Sequence, residues 1–136
     1  MNNEKYLSLV EKAIAAREKS YSPYSKFAVG AALLCADGTV FTGANVENSS
    51  YTPTVCAERV AFFDAIHKGQ RNFSAIAIVG GSAGEKISDF CPPCGVCRQI
   101  MGEFCGSDFE IILSNGKEIK VYTLNELFPN RFDLLK

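Results

Sequence analysis

Two short segments hold the residues best suited to chemistry: Cys56-Ala57-Glu58-Arg59 and Pro93-Cys94-Gly95-Val96-Cys97. Cysteine thiolates are zinc ligands, and zinc takes four ligands in a tetrahedron. A structural site fills all four positions with protein, whereas a catalytic site supplies three and leaves the fourth to water. Cys56, Cys94 and Cys97 make three. Glu58 lies two residues beyond Cys56 and so points away from that sulfur around a helix. It is placed to stand beside a metal without ligating it.

Cys91 leaves a second reading open. Cys91-Pro92-Pro93-Cys94-Gly95-Val96-Cys97 is a doubled C-x-x-C, and Cys91 as a fourth ligand would make a closed, structural site. The two prolines, which stiffen the Cys91 loop away from a helix, argue against it. So does Glu58, which has no evident place in a structural site. Cys35 and Cys105 read as core residues.

Each cysteine segment opens a predicted helix, over residues 56–68 and 94–105. Cys94 and Cys97 are three apart, so one turn sets both sulfurs on one face. Thiolates at helix N-termini are favoured by the helix dipole. Upstream, residues 4–19 read as an amphipathic helix with Leu7, Val10, Ala13 and Ile14 inward and Glu11, Lys12, Arg17 and Glu18 elsewhere. Residues 27–35 and 39–46 read as strands joined at Asp37-Gly38, a hairpin signal.

Residues 74–79 read as a buried strand, followed by a flexible loop over 80–89. Strands at 109–113 and 118–122 flank Asn115-Gly116, and a short helix begins near Thr123. His67 fits a helix C-terminus better than a metal site. The order α-β-β-α-β-α-β-β-α predicts an α/β fold: a layered α/β/α sandwich on one mixed sheet of about five strands. The whole chain, 1–136, reads as a single domain.

The composition excludes several classes. With a net charge of −1 and no basic run, the chain is not expected to bind nucleic acid or an anionic membrane. The opening Met1-Asn2-Asn3-Glu4-Lys5 is polar, and the longest apolar run, Phe27 to Ala36, is too short to cross a bilayer. The expected compartment is the cytoplasm, where six cysteines point to metal or catalysis and not to disulfides.

The C-A-E and P-C-x-x-C segments together resemble the cytidine deaminase superfamily. Pro23-Tyr24-Ser25-Lys26-Phe27, Asn45-Val46-Glu47-Asn48 and Arg98-Gln99 extend the likeness to the small homotetrameric cytidine deaminases over nearly the whole chain. The resemblance implies one zinc per chain and hydrolytic deamination of cytidine and 2′-deoxycytidine in pyrimidine salvage. In that scheme zinc-bound hydroxide attacks C4, and Glu58 shuttles protons to ring N3 and to departing ammonia.

It also implies that Phe27 stacks on the pyrimidine, that Asn45 and Glu47 hold a ribose hydroxyl, and that the Ala57 N–H meets the ring carbonyl. Arg59 is similar to the family arginine that hydrogen-bonds the ligand sulfurs. Tyr51 and Phe132 would reach neighbouring subunits' sites in a homotetramer. Ser49 and Ser50 replace alanines expected beside Tyr51. Two other functions compete: a deaminase for a modified cytosine nucleoside, and a non-catalytic zinc module with an all-cysteine site.

Overall fold

A computed structural model describes residues 3–135, so the reading of Met1 and Asn2 lies outside the described residues. The elements run α1 (Asn3–Arg17), β1 (Phe27–Cys35), β2 (Val40–Ala44), α2 (Ala57–His67), β3 (Phe73–Ser82), α3 (Gly95–Phe104), β4 (Glu110–Ser114), β5 (Ile119–Thr123) and α4 (Leu124–Leu127). The strands form one mixed sheet in the order β2-β1-β3-β4-β5. Only the β3–β4 pair is parallel.

Side chains alternate across a strand, and the central strands bury both sets. Ala31, Leu33 and Cys35 of β1, Ile76 and Ile78 of β3, and Ile111 and Leu113 of β4 face one layer. They pack there with Ala57, Ala61, Phe62 and Ala65 of α2 and Met101 of α3. The intervening Ala32, Ala75, Ala77, Val79 and Ile112 face the other layer, against Leu9, Val10 and Ala13 of α1. This is the expected α/β/α sandwich.

Two expectations for the elements need correction. Leu7 and Ile14 are exposed, and the inward face of α1 is Leu9, Val10, Ala13, Ala16 and Arg17. The pattern misled because Arg17 is buried as an ion: 5% exposed, it donates to the carbonyls of Ala28 at 2.9 Å, Glu85 at 2.8 Å and Ser82 at 2.6 Å. Those bonds meet the cost of taking a guanidinium out of water. Second, the flexible loop does not begin at residue 80. Gly80, Gly81 and Ser82 continue β3, paired with Val29, Ala28 and Phe27.

The approach of α2 to the sheet depends on Gly43. A Cβ there would fall 2.5 Å from the Ala57 carbonyl oxygen and 2.7 Å from the Ala61 nitrogen. The helix therefore rests directly on the β2 backbone, with Ala57 and Ala61 as its contact residues. This seat fixes the N-terminus of α2 and with it Cys56 and Glu58.

Candidate metal centre and active site

Cys56 is the N-cap of α2 and Cys94 the N-cap of α3, each with extended backbone and no side-chain cap bond. Neither sulfur is engaged in capping, so both are free to turn towards a shared centre. Cys97 sits in the first turn of α3, buried against the core. The three Sγ atoms lie within 4.8 Å of one another. Two helix N-termini thus aim their positive ends at one cluster of thiols. Cys91 is absent from this cluster; its Sγ would lie 2.8 Å from a Cβ at Gly80, against the sheet. The closed four-cysteine arrangement does not form.

The cluster concentrates negative charge. Hydrogen bonding from Cys97, then from Arg59 and Cys94, outweighs burial and pushes the Cys56 thiol down to about 5. Its bond to Cys56 and its burial hold Cys97 well above the ordinary thiol range. Burial, with the charges of Glu58 and Cys56, pushes Cys91 up to about 11, so Cys91 stays a neutral thiol beside the centre. Three soft sulfur donors on a rigid frame, one already ionised, fit zinc.

Arg59 supplies the facing cation. One Nη2 lies 3.6 Å from Cys56 Sγ, while its Nε is buried without a hydrogen-bond partner. Glu58 is 4% exposed and bonded to Cys97 of the cluster. Burial is the main cause that raises its carboxyl to about 7, and the Cys56 charge adds to it, against bonds that lower it. A carboxyl that exchanges its proton near neutrality suits general acid–base work.

The other residues named from the sequence fall into two groups. Ala57 is the first residue of α2, so its N–H has no partner within the helix. The Phe27 ring closes on Gly80: a Cβ at Gly80 would lie 3.1 Å from Phe27 Cε2. Phe27 and Cys91 therefore both crowd the place where a side chain at position 80 would stand. Asn45 and Glu47 are engaged with the chain around Phe27. Asn45 Oδ1 accepts from Val29 N at 2.9 Å and Ser20 Oγ at 2.5 Å, and its Nδ2 donates to the Phe27 carbonyl at 2.9 Å.

Tyr51 and Phe132 stand out from the surface, 75% and 70% exposed. Tyr51 and Glu47 line an open cleft of about 430 Å³ with Tyr24, Ser25, Asn48 and Thr54. A larger hollow of about 640 Å³ lies between the end of α1 and the loops at Ile87 and Gly116, and no cluster residue lines it.

A match to the cytidine and deoxycytidylate deaminase zinc-binding region covers residues 3–113. The chain belongs to that family. It is 48% identical over 128 residues to a cytidine deaminase of Sporosarcina psychrophila, covering 90% of each chain. It is 48% identical over 125 residues to the cytidine deaminase of Halalkalibacterium halodurans, covering 91% of each. Among solved structures, the cytidine deaminase of Burkholderia pseudomallei superposes with a TM-score of 0.84 at 46% identity, over 93% of this chain and 98% of that one.

As a zinc-dependent deaminase, the chain needs a water-accessible face on its metal centre. Cys94 is exposed and Cys56 half-buried, so the cluster opens outward from the two helix ends. Sequence reasoning assigned no role to three supporting residues, although Arg98 was part of the motif that carried the likeness. Gly80 keeps space between Phe27 and Cys91, and Arg17 fixes the Ala28 carbonyl next to Phe27. Arg98 donates to the carbonyls of Pro93 at 2.8 Å and Leu127 at 2.6 Å, tying the Cys94 turn to α4. The neighbouring prolines and the P-C-x-x-C-R spacing were the only signals for Arg98.

Proposed function

We propose that the chain deaminates cytidine and 2′-deoxycytidine by hydrolysis, releasing ammonia and uridine or deoxyuridine, in pyrimidine salvage. The observation that carries this reading is the convergence of three sulfurs at two helix N-termini with the buried Glu58 carboxyl beside them. Cys56, Cys94 and Cys97 would hold the zinc. When bound, zinc supplies Lewis acidity that makes water a nucleophile near neutral pH. Glu58 takes up the proton that water releases and delivers it to ring N3. It then carries the second proton to the leaving nitrogen, so one carboxyl serves both transfers.

Phe27 offers its ring face to the pyrimidine, and the Ala57 N–H can donate to the ring carbonyl. Glu47 and Asn45 hold a sugar hydroxyl. Arg59 offsets part of the thiolate charge. The identity to cytidine deaminases favours cytidine over a modified cytosine nucleoside. We read 1–136 as one catalytic domain and the active form as a homotetramer, which would cover the exposed Tyr51 and Phe132. A reducing cytoplasm suits six cysteines, none of them in a disulfide.

The direct test is ammonia release from cytidine and deoxycytidine by purified, zinc-assayed protein, with its mass from sedimentation. Turnover by a species near four times 14.8 kDa is expected. A zinc-loaded chain inactive on both nucleosides would overturn the reading, and a fully active monomer would overturn the shared sites.

A further inference from the structure

The turn before Phe27 is unusually constrained. Lys26 has φ 61, a left-handed conformation that non-glycine residues hold only when their surroundings require it. Its N–H donates to Ser22 O at 3.0 Å, and its carbonyl accepts from Ala83 N at 2.8 Å. One hydroxyl lies at the centre of this turn. Ser25 Oγ donates to Glu47 Oε2 and accepts from the Phe27 N–H at 2.9 Å. Glu47 Oε1 accepts from the N–H groups of Tyr24 at 3.0 Å and Ser25 at 3.1 Å.

Two residues assigned to different parts of the substrate, the base and the sugar, therefore meet at a single side chain. A carboxylate has about four acceptor positions. Three of those on Glu47 are filled from the 24–25 turn, and one remains for a hydroxyl outside the chain. The Ser25 hydroxyl is the largest cause that holds Glu47 below the ordinary carboxylate range, so Glu47 stays an acceptor. On the far side, Asn45 Nδ2 grips the Phe27 carbonyl. The Phe27 backbone is thus held from both directions by the 45–47 segment, and only the Ser25 link passes through a removable hydroxyl.

We propose that Ser25 is a positioning residue for nucleoside binding, setting the Phe27 ring and the free acceptor of Glu47 in one register. The proposal rests on the deaminase reading above. Ser25 touches neither the sulfur cluster nor Glu58 through any bond described, so its effect belongs to binding and not to the chemical step.

The test is Ser25→Ala and Ser25→Thr, each with one zinc per chain verified and thermal stability measured. For Ser25→Ala, KM for cytidine and the dissociation constant of uridine should both rise about tenfold, the size of a lost bond to a charged group. The kcat should stay within about threefold, and Ser25→Thr, which keeps the hydroxyl, should recover both constants. In a Glu47→Gln background the Ser25→Ala effect should shrink. Unchanged KM and uridine affinity in Ser25→Ala would overturn the proposal. So would a loss of kcat alone, or effects of Ser25→Ala and Glu47→Gln that simply multiply. A wild-type chain that neither turns over cytidine nor binds uridine would overturn both the proposal and the reading beneath it. An active wild type beside an unaffected Ser25→Ala would overturn the Ser25 role alone.

Discussion

Arg59 holds a guanidinium nitrogen 3.6 Å from Cys56 Sγ, one helical turn along α2 from the cysteine it faces. Zinc with three thiolates carries net charge −1, and ionising a bound water would make it more negative. The guanidinium would draw electron density from the sulfur and leave a bound metal the stronger Lewis acid. Partners of metal ligands are typically worth about 10–100-fold in metal affinity or activity. Arg59→Gln should therefore weaken zinc binding or slow turnover by that order. Competition with a chelator and turnover at matched zinc content would show it. Equal affinity and equal rates would remove Arg59 from the tuning of the centre.

The sulfur cluster predicts a clear division among the cysteines. Cys56→Ala, Cys94→Ala and Cys97→Ala should each lose zinc and activity together. Cys91→Ser, Cys35→Ser and Cys105→Ser should keep one zinc per chain, since none of them joins the cluster. Metal analysis of the six purified variants decides it, and zinc lost from Cys91→Ser alone would restore the closed site.

Glu58→Gln is nearly isosteric but cannot take up a proton. A general acid–base group is typically worth about 10²–10⁴ in rate. With one carboxyl serving both transfers, the loss should reach the upper end of that range while zinc stays bound. Single-turnover kinetics on the zinc-loaded variant would test this; a rate within tenfold of wild type contradicts the role.

Gly43→Ala should loosen the seat of α2. The added methyl group would fall 2.5 Å from the Ala57 carbonyl, and backbone there cannot step aside cheaply. Overpacking of this kind costs about 1–3 kcal/mol. Denaturant unfolding should show that loss, and zinc affinity should fall with it because Cys56 caps the displaced helix. An unchanged midpoint would mean that α2 has more freedom than its seat implies.

Glu110 gives a stability prediction with a defined pH window. Burial opposes its ionisation, but bonds from the Tyr6 hydroxyl at 2.7 Å and the Lys5 ammonium at 2.9 Å win, and its pKa is lowered. A depressed carboxyl contributes stability above its unfolded pKa, about 4.3, and loses it as pH falls through the folded value. Glu110→Gln should cost about 1 kcal/mol near pH 7, since the group is partly solvated. Thermal melts of the two proteins should converge below about pH 4. A constant gap across that range would assign the loss to packing.

Much of the fold was legible because its signals were local. Asp37-Gly38 and Asn115-Gly116 mark turns by backbone chemistry, and Thr123 with Glu126 forms a capping box that starts α4. Cys56 and Cys94 announced helix starts, and both proved to be N-caps. What stayed hidden depends on partners distant in sequence. Arg17 reads as a solvated cation until the carbonyls of Ala28, Ser82 and Glu85 are brought around it. Gly80 reads as a loop glycine until β1 pairs alongside it. Ser25 reads as a turn residue because Glu47, its partner, lies 22 positions away.

That separation has a counterpart in the sulfur cluster. Cys94 and Cys97 lie within one turn of each other, whereas Cys56 lies 38 positions from Cys94 with the whole of β3 between them. An unfolded chain can offer an ion the adjacent thiols of Cys94 and Cys97, but Cys56 joins them only once β3 has entered the sheet and α2 has settled upon it. A two-thiol species holds zinc weakly, so tight capture waits for tertiary completion. Once captured, the ion links segments that the chain itself joins only through a long excursion, and the linkage disfavours the open ensemble. Metal occupancy thereby reports how far assembly of the domain has gone.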